Sequence, residues 1–371
     1  MQTPYYEYDL GLLESTLAAI DRAVAGERDW HVHYAIKANA NPLLLPLIRQ
    51  HGLGIDCVSG GEIRVALDAG FDASQIVFAG VGKADWEIDL ALESGIACFN
   101  VESEAELDVI EERCRLLDRK AHIAFRVNPD VDAHTLAGIT TGKAENKFGI
   151  EIPMLRPIIR KALESRYLVF EGLHFHIGSQ ITDMGPFIQL CDKVNQLQDS
   201  LEEEGIRLNI INVGGGLGVD YDNPLQNMIP DFQAYFDVFR NRLNLRQGQQ
   251  LHFELGRAVV AQCGRLITRV LYVKQGTVRK FAIVDAGFTD LIRPAFYGAH
   301  HSIVNLTSHG EPEKYDVVGP ICESSDVFGK DAVLPRTSRG DLIAIMTAGA
   351  YGETMASCYN QRRLPPSEVK E

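Results

Sequence analysis

Several sequence features that mark whole classes of protein are missing from this chain of 371 residues. Basic residues are in the minority: 36 lysines and arginines stand against 50 acidic residues, and no basic run exceeds a pair such as Arg362-Arg363. A formal charge of −14 repels nucleic-acid phosphates, so nucleic-acid binding is not expected. Apolar runs of about 18 residues are absent, and the N-terminus lacks the charged start and apolar stretch of a signal peptide. We therefore expect a cytoplasmic protein with no membrane contact.

Cysteine usage excludes two further classes. The seven cysteines are scattered and none belongs to a C-x-x-C pair. Such spacing suits reduced thiols better than a disulfide framework or a zinc site, so we expect no structural metal.

What the chain does contain is a regular alternation of short β-rich runs and helix-like segments. Parallel strands need crossover connections, and eight strands alternating with helices are typical of a closed (β/α)8 TIM barrel. An open doubly wound sheet is the structural alternative. The eight runs are 32–38, 54–59, 76–81, 97–101, 122–128, 170–178, 208–214 and 251–257, and helical segments include 61–69, 85–94, 103–117, 153–165, 187–203 and 230–242.

The alternation stops after Arg257. The runs 264–274, 280–286, 315–321 and 341–347 are strand-like and are separated by turn-forming material, which predicts an antiparallel β-domain. The tyrosine-rich segment 4–9 could add a strand to it. We place the barrel at 10–258 and the second domain at 259–371. Residues 1–9 are expected to belong to the second domain.

Lys37 ends the first predicted strand, in a run that otherwise faces a core. Burial disfavours a charged amine and would lower its pKa, which leaves the neutral, nucleophilic form within reach and suits covalent catalysis. The alternative is a lysine whose stem packs on the barrel rim while its ammonium reaches solvent.

Other polar residues follow the same strand ends, where the active sites of TIM barrels form. Each has an ordinary structural alternative. The glycine run is either a flexible turn or a phosphate cradle. His174 and His176 could pair on a metal, or one imidazole could stack on a flat cofactor. Glu254 could pair with Arg257 or face a pyridinium nitrogen. The full set at the strand ends is Lys37, Asp56, Ser59, Arg126, Asn128, His174, His176, Gly214, Gly215, Gly216, Glu254 and Arg257.

The second half carries further clusters. Cys322 beside Glu323 offers a proton donor next to a carboxylate, although both could be loop residues. Arg293 with Tyr297 is suited to hold an anionic substrate group.

Taken together and in order, these motifs resemble the fold-type III pyridoxal-phosphate-dependent decarboxylases over nearly the whole chain. The combination is specific although no single motif is. One departure is Leu255, where the family usually has proline. The matching stretches are residues 33–39, D-C-V-S-G-G-E at 56–62, H-F-H-I-G-S-Q at 174–180, G-G-G-L-G at 214–218, E-L-G-R at 254–257, L-I-R-P-A-F-Y at 291–297, C-E-S-S-D at 322–326 and A-G-A-Y-G at 348–352.

The resemblance implies a barrel with a C-terminal β-sandwich, pyridoxal 5′-phosphate as cofactor, and a homodimer that shares its active sites. It implies that Lys37 forms the Schiff base and that Cys322, from the other subunit, donates a proton. Lys147 and Asp326 match positions that pair across the dimer. The implied cofactor-binding residues are Lys37, Asp56, His176, Ser179, Gly214, Gly215, Gly216, Glu254, Gly256, Arg257 and Tyr351, and the implied substrate-binding residues are Arg257, Arg293, Tyr297, Glu323 and Tyr351.

The resemblance also implies a substrate with a second amino-acid end, meso-2,6-diaminopimelate, which is decarboxylated to L-lysine. Alternatives are a decarboxylase of another diamino acid, such as carboxynorspermidine, ornithine or arginine, a racemase, or a non-catalytic relative that binds the cofactor and regulates an enzyme. Substrates that lack a remote carboxylate have no use for Arg293, which favours diaminopimelate.

Overall fold

The computed structural model describes residues 2–131 and 147–370 of the chain. Their strands, in chain order, are β1 Tyr5–Tyr8, β2 Trp30–Ala35, β3 Gly54–Cys57, β4 Ile76–Phe78, β5 Cys98–Val101, β6 Ala121–Asn128, β7 Ile150–Glu151, β8 Leu168–Phe175, β9 Ile210–Asn212, β10 Gln250–Leu255, β11 Gly264–Gln275, β12 Lys280–Val284, β13 Ile303–Asn305, β14 Pro312–Val318, β15 Val327–Pro335, β16 Leu342–Ile345 and β17 Ser367–Val369. The α-helices are α1 Leu10–Ala23, α2 Leu45–Gln50, α3 Gly60–Asp68, α4 Asp85–Ser94, α5 Glu104–Leu117, α6 Ile152–Glu164, α7 Gly185–Glu202, α8 Phe232–Arg242, α9 Arg257–Val260 and α10 Arg293–Tyr297.

A closed ring of parallel strands confirms the predicted barrel. The order β2, β3, β4, β5, β6, β8, β9, β10 returns to β2, because β5 pairs with β6 and β10 pairs with β2. Each of the eight predicted runs overlaps one of these strands. The closure excludes the open doubly wound sheet, and it brings the carboxyl ends of all eight strands to one rim.

Helix starts on the barrel are set by local capping. The Ser59 hydroxyl accepts a hydrogen bond from the Glu62 N–H at the start of α3. Ser103 does the same for Glu106 at the start of α5. The Glu106 carboxylate then accepts from the N–H of Glu102, one residue before the cap. Capping satisfies N–H groups that the first helical turn leaves unpaired, and it fixes where each helix leaves its strand.

The second sheet has eight strands and confirms the predicted β-domain. Five of its pairings are antiparallel, but β12 pairs with β14 and β1 with β17 in parallel, so the sheet is mixed. The long strand β11 pairs with β1 and β16 in its first half and with β12 in its second half. Three strands, β13, β15 and β17, were not among the predicted runs.

The chain divides into two compact units. The barrel unit comprises Leu17–Gly218 and Asp231–Gly256, and the β unit comprises Met1–Thr16, Val219–Pro230 and Arg257–Glu371. In the parts of the chain that the structure describes, no helix combines the length and the apolar character that crossing a bilayer requires.

Stacked histidines occupy the barrel at the amino ends of its strands, next to a cavity of about 650 Å³. His33 Nε2 lies 3.0 Å from His252 Nδ1, and the exposed fractions of the two residues are only 4% and 8%. Burial lowers the pKa of His33 to about 4 and that of His252 to about 2, with further lowering from neighbouring histidines. Both imidazoles are therefore neutral in the folded protein near neutral pH.

This pair predicts a loss of stability in mild acid. Between pH 6.5 and 4 the unfolded chain binds protons on both histidines that the folded protein does not, so the free energy of unfolding falls as the pH falls, by up to about 2.7 kcal/mol per pH unit. Denaturant titrations from pH 7 to 5 measure it. The variant His33→Gln/His252→Gln should have a shallower slope, whereas His309→Gln, at an exposed position, is the control and should keep the wild-type slope. An unchanged slope in the double variant contradicts this assignment.

Candidate active site

Lys37 lies at the carboxyl end of β2, on a short 3-10 turn that spans Ile36–Ala38. Its Nζ is 3.2 Å from Oδ2 of Asp56 on β3. The Lys37 side chain is 38% exposed and that of Asp56 is 1% exposed. The expectation of a buried lysine is therefore wrong, because the stem leaves the core after the strand has ended and the amine reaches the rim, where a buried carboxylate pairs with it.

Asp56 is buried beside this amine, and the burial changes the pKa of its carboxyl group. Desolvation and the nearby charge of Glu254 raise its pKa to about 7, against the opposing effect of Lys37. Its second oxygen, Oδ1, has no hydrogen-bond partner among the described residues. The Asp56 carboxyl therefore changes its protonation state near neutral pH while it lies within hydrogen-bond distance of the Lys37 amine.

Glu254, on β10, is held by three donors from three other strands of the barrel, β5, β8 and β9. Its Oε1 accepts from the side-chain amides of Asn100 at 3.0 Å and Asn212 at 2.7 Å, and its Oε2 lies 2.9 Å from Nε2 of His174. A carboxylate offers about four lone-pair sites, so one acceptor position remains, on Oε2. Glu254 is only 6% exposed, which makes this remaining position a buried one.

Glu254 is ionised although it is buried. Desolvation alone would raise its pKa, but His174 with its hydrogen bond, Lys37 and His176 outweigh that effect, and the pKa lies below the ordinary value. Sequence reasoning missed Asn100 and Asn212, although each follows the pattern of a polar side chain near the end of a barrel strand. Arg257, which the sequence offered as an alternative partner of Glu254, belongs to the other compact unit.

The two histidines of H-x-H have different partners. His174 binds Glu254, and its other nitrogen, Nδ1, is buried without a hydrogen bond to any described residue. His176 Nδ1 accepts from the N–H of Gly215 at 3.3 Å, and burial together with the charges of Arg126 and Lys37 lowers the pKa of His176 well below 6.5. Residues 2–131 and 147–370 contain no group of three or more His, Cys, Asp or Glu side chains placed to hold a metal ion.

Arg126 and Asn128 stand near the end of β6, as the strand pattern predicts. Arg126 donates to Glu102 at 2.8 Å, and both side chains are buried. Glu102 also accepts from the N–H groups of Gly80 and Gly149. This buried ion pair is fully hydrogen-bonded, which fixes the rim between β5 and β6.

The glycine run after β9 is a close-packed corner. A Cβ on Gly215 would lie 1.9 Å from the Glu254 carbonyl oxygen, and one on Gly214 would lie 2.2 Å from the Phe175 carbonyl oxygen. The N–H groups of Gly214 and Gly215 donate to Asn212 and His176. The phosphate cradle stays a prediction. Ser179 lies beyond the end of β8 and Gly256 directly after β10.

Replacement of Gly215 by alanine should therefore destabilise the barrel. A contact of 1.9 Å requires β9 and β10 to shift, and overpacking of this kind costs about 3 kcal/mol. Denaturant unfolding measures the loss. Gly82→Ala is the matched control, because nothing lies within 4 Å of the added methyl group, and it should change stability by less than about 0.5 kcal/mol. Equal stabilities of the two variants would contradict the close packing.

The β unit contains a second cluster of predicted site residues. Arg257 and Arg293 are only 6% and 5% exposed. The Arg257 guanidinium lies 4.9 Å from the ring of Tyr351, and its Nη1 donates to the hydroxyl of Tyr221 at 2.7 Å. None of the described carboxylates forms an ion pair with Arg293, whose neighbours are the Tyr221 ring at 4.7 Å and a histidine. A buried cation without a carboxylate is suited to bind an anion.

Three of the remaining predicted residues of the β unit, Tyr297, Cys322 and Glu323, are exposed or partly exposed. Tyr297 ends α10 and is partly exposed. Cys322 and Glu323 are exposed on the loop between β14 and β15, where Glu323 accepts from the Tyr359 hydroxyl at 3.1 Å. Neither forms a hydrogen bond with Arg293 in the described chain. Asp326 is 3% exposed and accepts from the N–H groups of Phe288 and Ile321, so it organises its own loop, and its pairing with Lys147 stays a prediction.

Comparisons with known proteins agree with this geometry. Residues 10–261 match the family model described as pyridoxal-dependent decarboxylase, pyridoxal binding domain. The chain is 62% identical to the diaminopimelate decarboxylase of Bacteroides thetaiotaomicron, over 98% of this chain and 95% of that protein. The crystal structure of the Helicobacter pylori enzyme complexed with L-lysine superposes with a TM-score of 0.94 at 42% identity, covering 100% of this chain and 92% of that one. A Vibrio vulnificus lysine/ornithine decarboxylase, at 22% identity and a TM-score of 0.85, shares the fold.

The residues at the barrel rim fit the cofactor that this family uses. The Lys37 amine is accessible, Glu254 keeps one buried acceptor position free, and the glycine corner leaves no room for side chains beside His176. The aldehyde of the cofactor would react with the amine, and its ring nitrogen would meet the acceptor position of Glu254. Its flat ring would lie beside His176. The chain therefore belongs to the pyridoxal-dependent decarboxylases, in the diaminopimelate decarboxylase family, and is a decarboxylase whose cofactor is pyridoxal 5′-phosphate.

Proposed function

We propose that this enzyme decarboxylates meso-2,6-diaminopimelate to L-lysine and CO2. The observation that carries the proposal is the buried guanidinium of Arg293, which has no carboxylate partner among the described residues. Diaminopimelate has a second amino-acid end whose carboxylate remains after CO2 has left, and a charge-assisted pair with a buried arginine would select for it. Relatives solved with L-lysine, the compound that retains this carboxylate, support the choice.

Lys37 would hold the cofactor covalently, and Asp56 would accept and return the proton of its amine across the 3.2 Å contact. Glu254 would keep the pyridine nitrogen protonated through its remaining acceptor position, while His176 would support the ring. The chemistry that the bound cofactor supplies is stabilisation of the electron pair left on Cα when CO2 departs. The chain's own groups therefore orient the substrate and control the protons.

In the balanced reaction the bond from Cα to the leaving carboxylate breaks, CO2 departs and a proton takes its place on Cα. We propose Cys322 as the donor of that proton and Glu323 as the group that binds the remote amine. Their exposed loop supports delivery of both side chains to the active site of a second copy of the chain, in a homodimer. The remote carboxylate would be bound by Arg257, Arg293 and Tyr297, with Tyr351 beside the phosphate.

A cytoplasmic location is part of the same proposal. The seven cysteines are all free thiols, and five of them are buried, which suits a reducing compartment.

Arg293→Ala should raise KM for meso-diaminopimelate about 100-fold, because losing one partner of a buried, hydrogen-bonded charge pair typically costs a few kcal/mol. Steady-state kinetics of L-lysine formation measure it. Arg336→Ala, on a side chain that is 70% exposed in the same unit, is the control and should leave KM unchanged. Unchanged KM in Arg293→Ala would contradict the proposed role.

The direct test is to incubate the purified protein with pyridoxal 5′-phosphate and each candidate substrate. We expect CO2 and L-lysine from meso-diaminopimelate, and slower or no turnover of ornithine, arginine and carboxynorspermidine. Chiral analysis of recovered substrate excludes a racemase if its configuration is unchanged. A cofactor-loaded protein that releases no CO2 from any diamino acid would support the non-catalytic alternative.

A further inference from the structure

Two buried guanidiniums share one aromatic ring in the β unit. The Cζ atoms of Arg293 and Arg257 lie 4.7 Å and 5.9 Å from the ring centroid of Tyr221, and the Tyr221 hydroxyl accepts from Arg257. Tyr221 is itself only 9% exposed. Two like charges held this far from solvent repel each other, so a neighbour that attracts both guanidiniums stabilises the arrangement. The face and the hydroxyl of one tyrosine provide such a neighbour.

His301 holds Arg293 from another direction. Its Nδ1 lies 2.8 Å from the carbonyl oxygen of Met346, which can only accept, so Nδ1 carries the proton. Its Nε2 then accepts from Nη1 of Arg293 at 2.8 Å. His301 is 1% exposed, and burial followed by the charge of Arg293 lowers its pKa to about 3. The imidazole is therefore a neutral acceptor at physiological pH.

We propose that His301 and Tyr221 are positioning residues that aim Arg293 and Arg257 at the remote carboxylate of the substrate, and that His301 does so while leaving the positive charge of Arg293 unneutralised. The proposal rests on the proposed function and adds two residues to it. A carboxylate at position 301 could accept the same hydrogen bond, but it would neutralise the guanidinium and compete with the substrate. The use of a neutral histidine at this position keeps the attraction available for the ligand.

The test compares two ligands that differ in one group. L-Lysine retains the remote carboxylate, and cadaverine has the same two amines without it. Their inhibition constants are measured with cofactor-loaded enzyme against meso-diaminopimelate, for the wild type, His301→Gln, His301→Asp and Tyr221→Phe. Glutamine keeps a neutral acceptor and a donor, aspartate keeps the acceptor but adds a charge, and phenylalanine keeps the ring but removes the hydroxyl.

We expect His301→Asp to weaken L-lysine binding at least tenfold, about 1.4 kcal/mol, and to leave cadaverine binding within about twofold of the wild type. His301→Gln should recover L-lysine binding to within about threefold. Tyr221→Phe should weaken L-lysine alone, by about threefold to tenfold, through Arg257. His300→Asp, next in the chain on a side chain that is 63% exposed, is the matched control for added charge and should change neither constant.

A purely structural role for His301 predicts something different. In that case His301→Gln and His301→Asp would affect both ligands alike, and such a result, or an unchanged L-lysine constant in His301→Asp, would overturn the proposal. Unchanged L-lysine binding in Tyr221→Phe would overturn the part assigned to Tyr221. Failure of the proposed function is recognised separately, since the wild-type enzyme would then form no L-lysine from meso-diaminopimelate.

Discussion

Lys37→Ala is expected to abolish turnover, with kcat reduced by at least about four orders of magnitude. The side chain is the amine at the rim of the barrel, and its loss would remove the proposed covalent attachment of the cofactor together with the contact to Asp56. The absorbance of the protein-bound cofactor should change together with the loss of CO2 release. Lys120→Ala, at an exposed position, is the control and should be indistinguishable from the wild type.

The fold of this variant should survive. Lys37 lowers the pKa of Asp56 through its charge and its hydrogen bond, so without Lys37 the pKa of Asp56 rises further and the buried carboxyl becomes neutral near pH 7. The double variant Lys37→Ala/Asp56→Asn should therefore match the single variant in activity and differ little from it in stability. Turnover within tenfold of the wild type in either variant would contradict the role of Lys37.

Glu254→Gln is expected to lower kcat by about three orders of magnitude while the cofactor remains bound. A glutamine cannot keep a ring nitrogen protonated, and electrostatic groups of this kind typically contribute about two to three orders of magnitude. The substitution also disturbs the local hydrogen bonds, because Asn100, Asn212 and His174 all point at the carboxylate and an amide NH2 would meet one of these donors. Single-turnover CO2 release, together with the cofactor spectrum, measures the effect.

The control for this prediction separates charge from packing. Asn100→Asp places a second carboxylate beside Glu254, which should raise the pKa of Glu254 and move the acid limb of the kcat profile to higher pH without removing the acceptor. A kcat of Glu254→Gln within about tenfold of the wild type would show that the charge of Glu254 is dispensable.

Much of the architecture was predictable because the barrel strands are buried on both faces. Such strands appear in sequence as short continuous apolar runs bounded by turns, and all eight were found, with ends up to three residues from those observed. The starts of α3 and α5 were predicted to within one residue, since the capping that fixes a helix start is local. The directions of the strand pairings in the β unit depend on contacts distant in sequence, and strands of three residues such as β13 and β17 carry too little pattern to be recognised.

Site residues that belong to a recognisable motif could be predicted from the sequence. Single polar residues that contact the site only in the folded chain could not. Asn100 and Asn212 are isolated asparagines whose significance appears only when three strands converge on Glu254. Tyr221 and His301 are 80 positions apart and meet only in the fold, with ring centroids 5.2 Å apart. The exposure of Lys37 was also hidden, because strand periodicity cannot show that the strand ends at Ala35 and a turn carries the lysine outward.

The central claim is that the Lys37 amine carries the cofactor, and one measurement tests it directly. The protein is loaded with pyridoxal 5′-phosphate, reduced with borohydride to make the attachment permanent, digested and analysed by mass spectrometry. The account predicts a single modified peptide with the adduct on Lys37, and no adduct in Lys37→Ala. An adduct located on another lysine, or equal labelling of the Lys37→Ala variant, would contradict it.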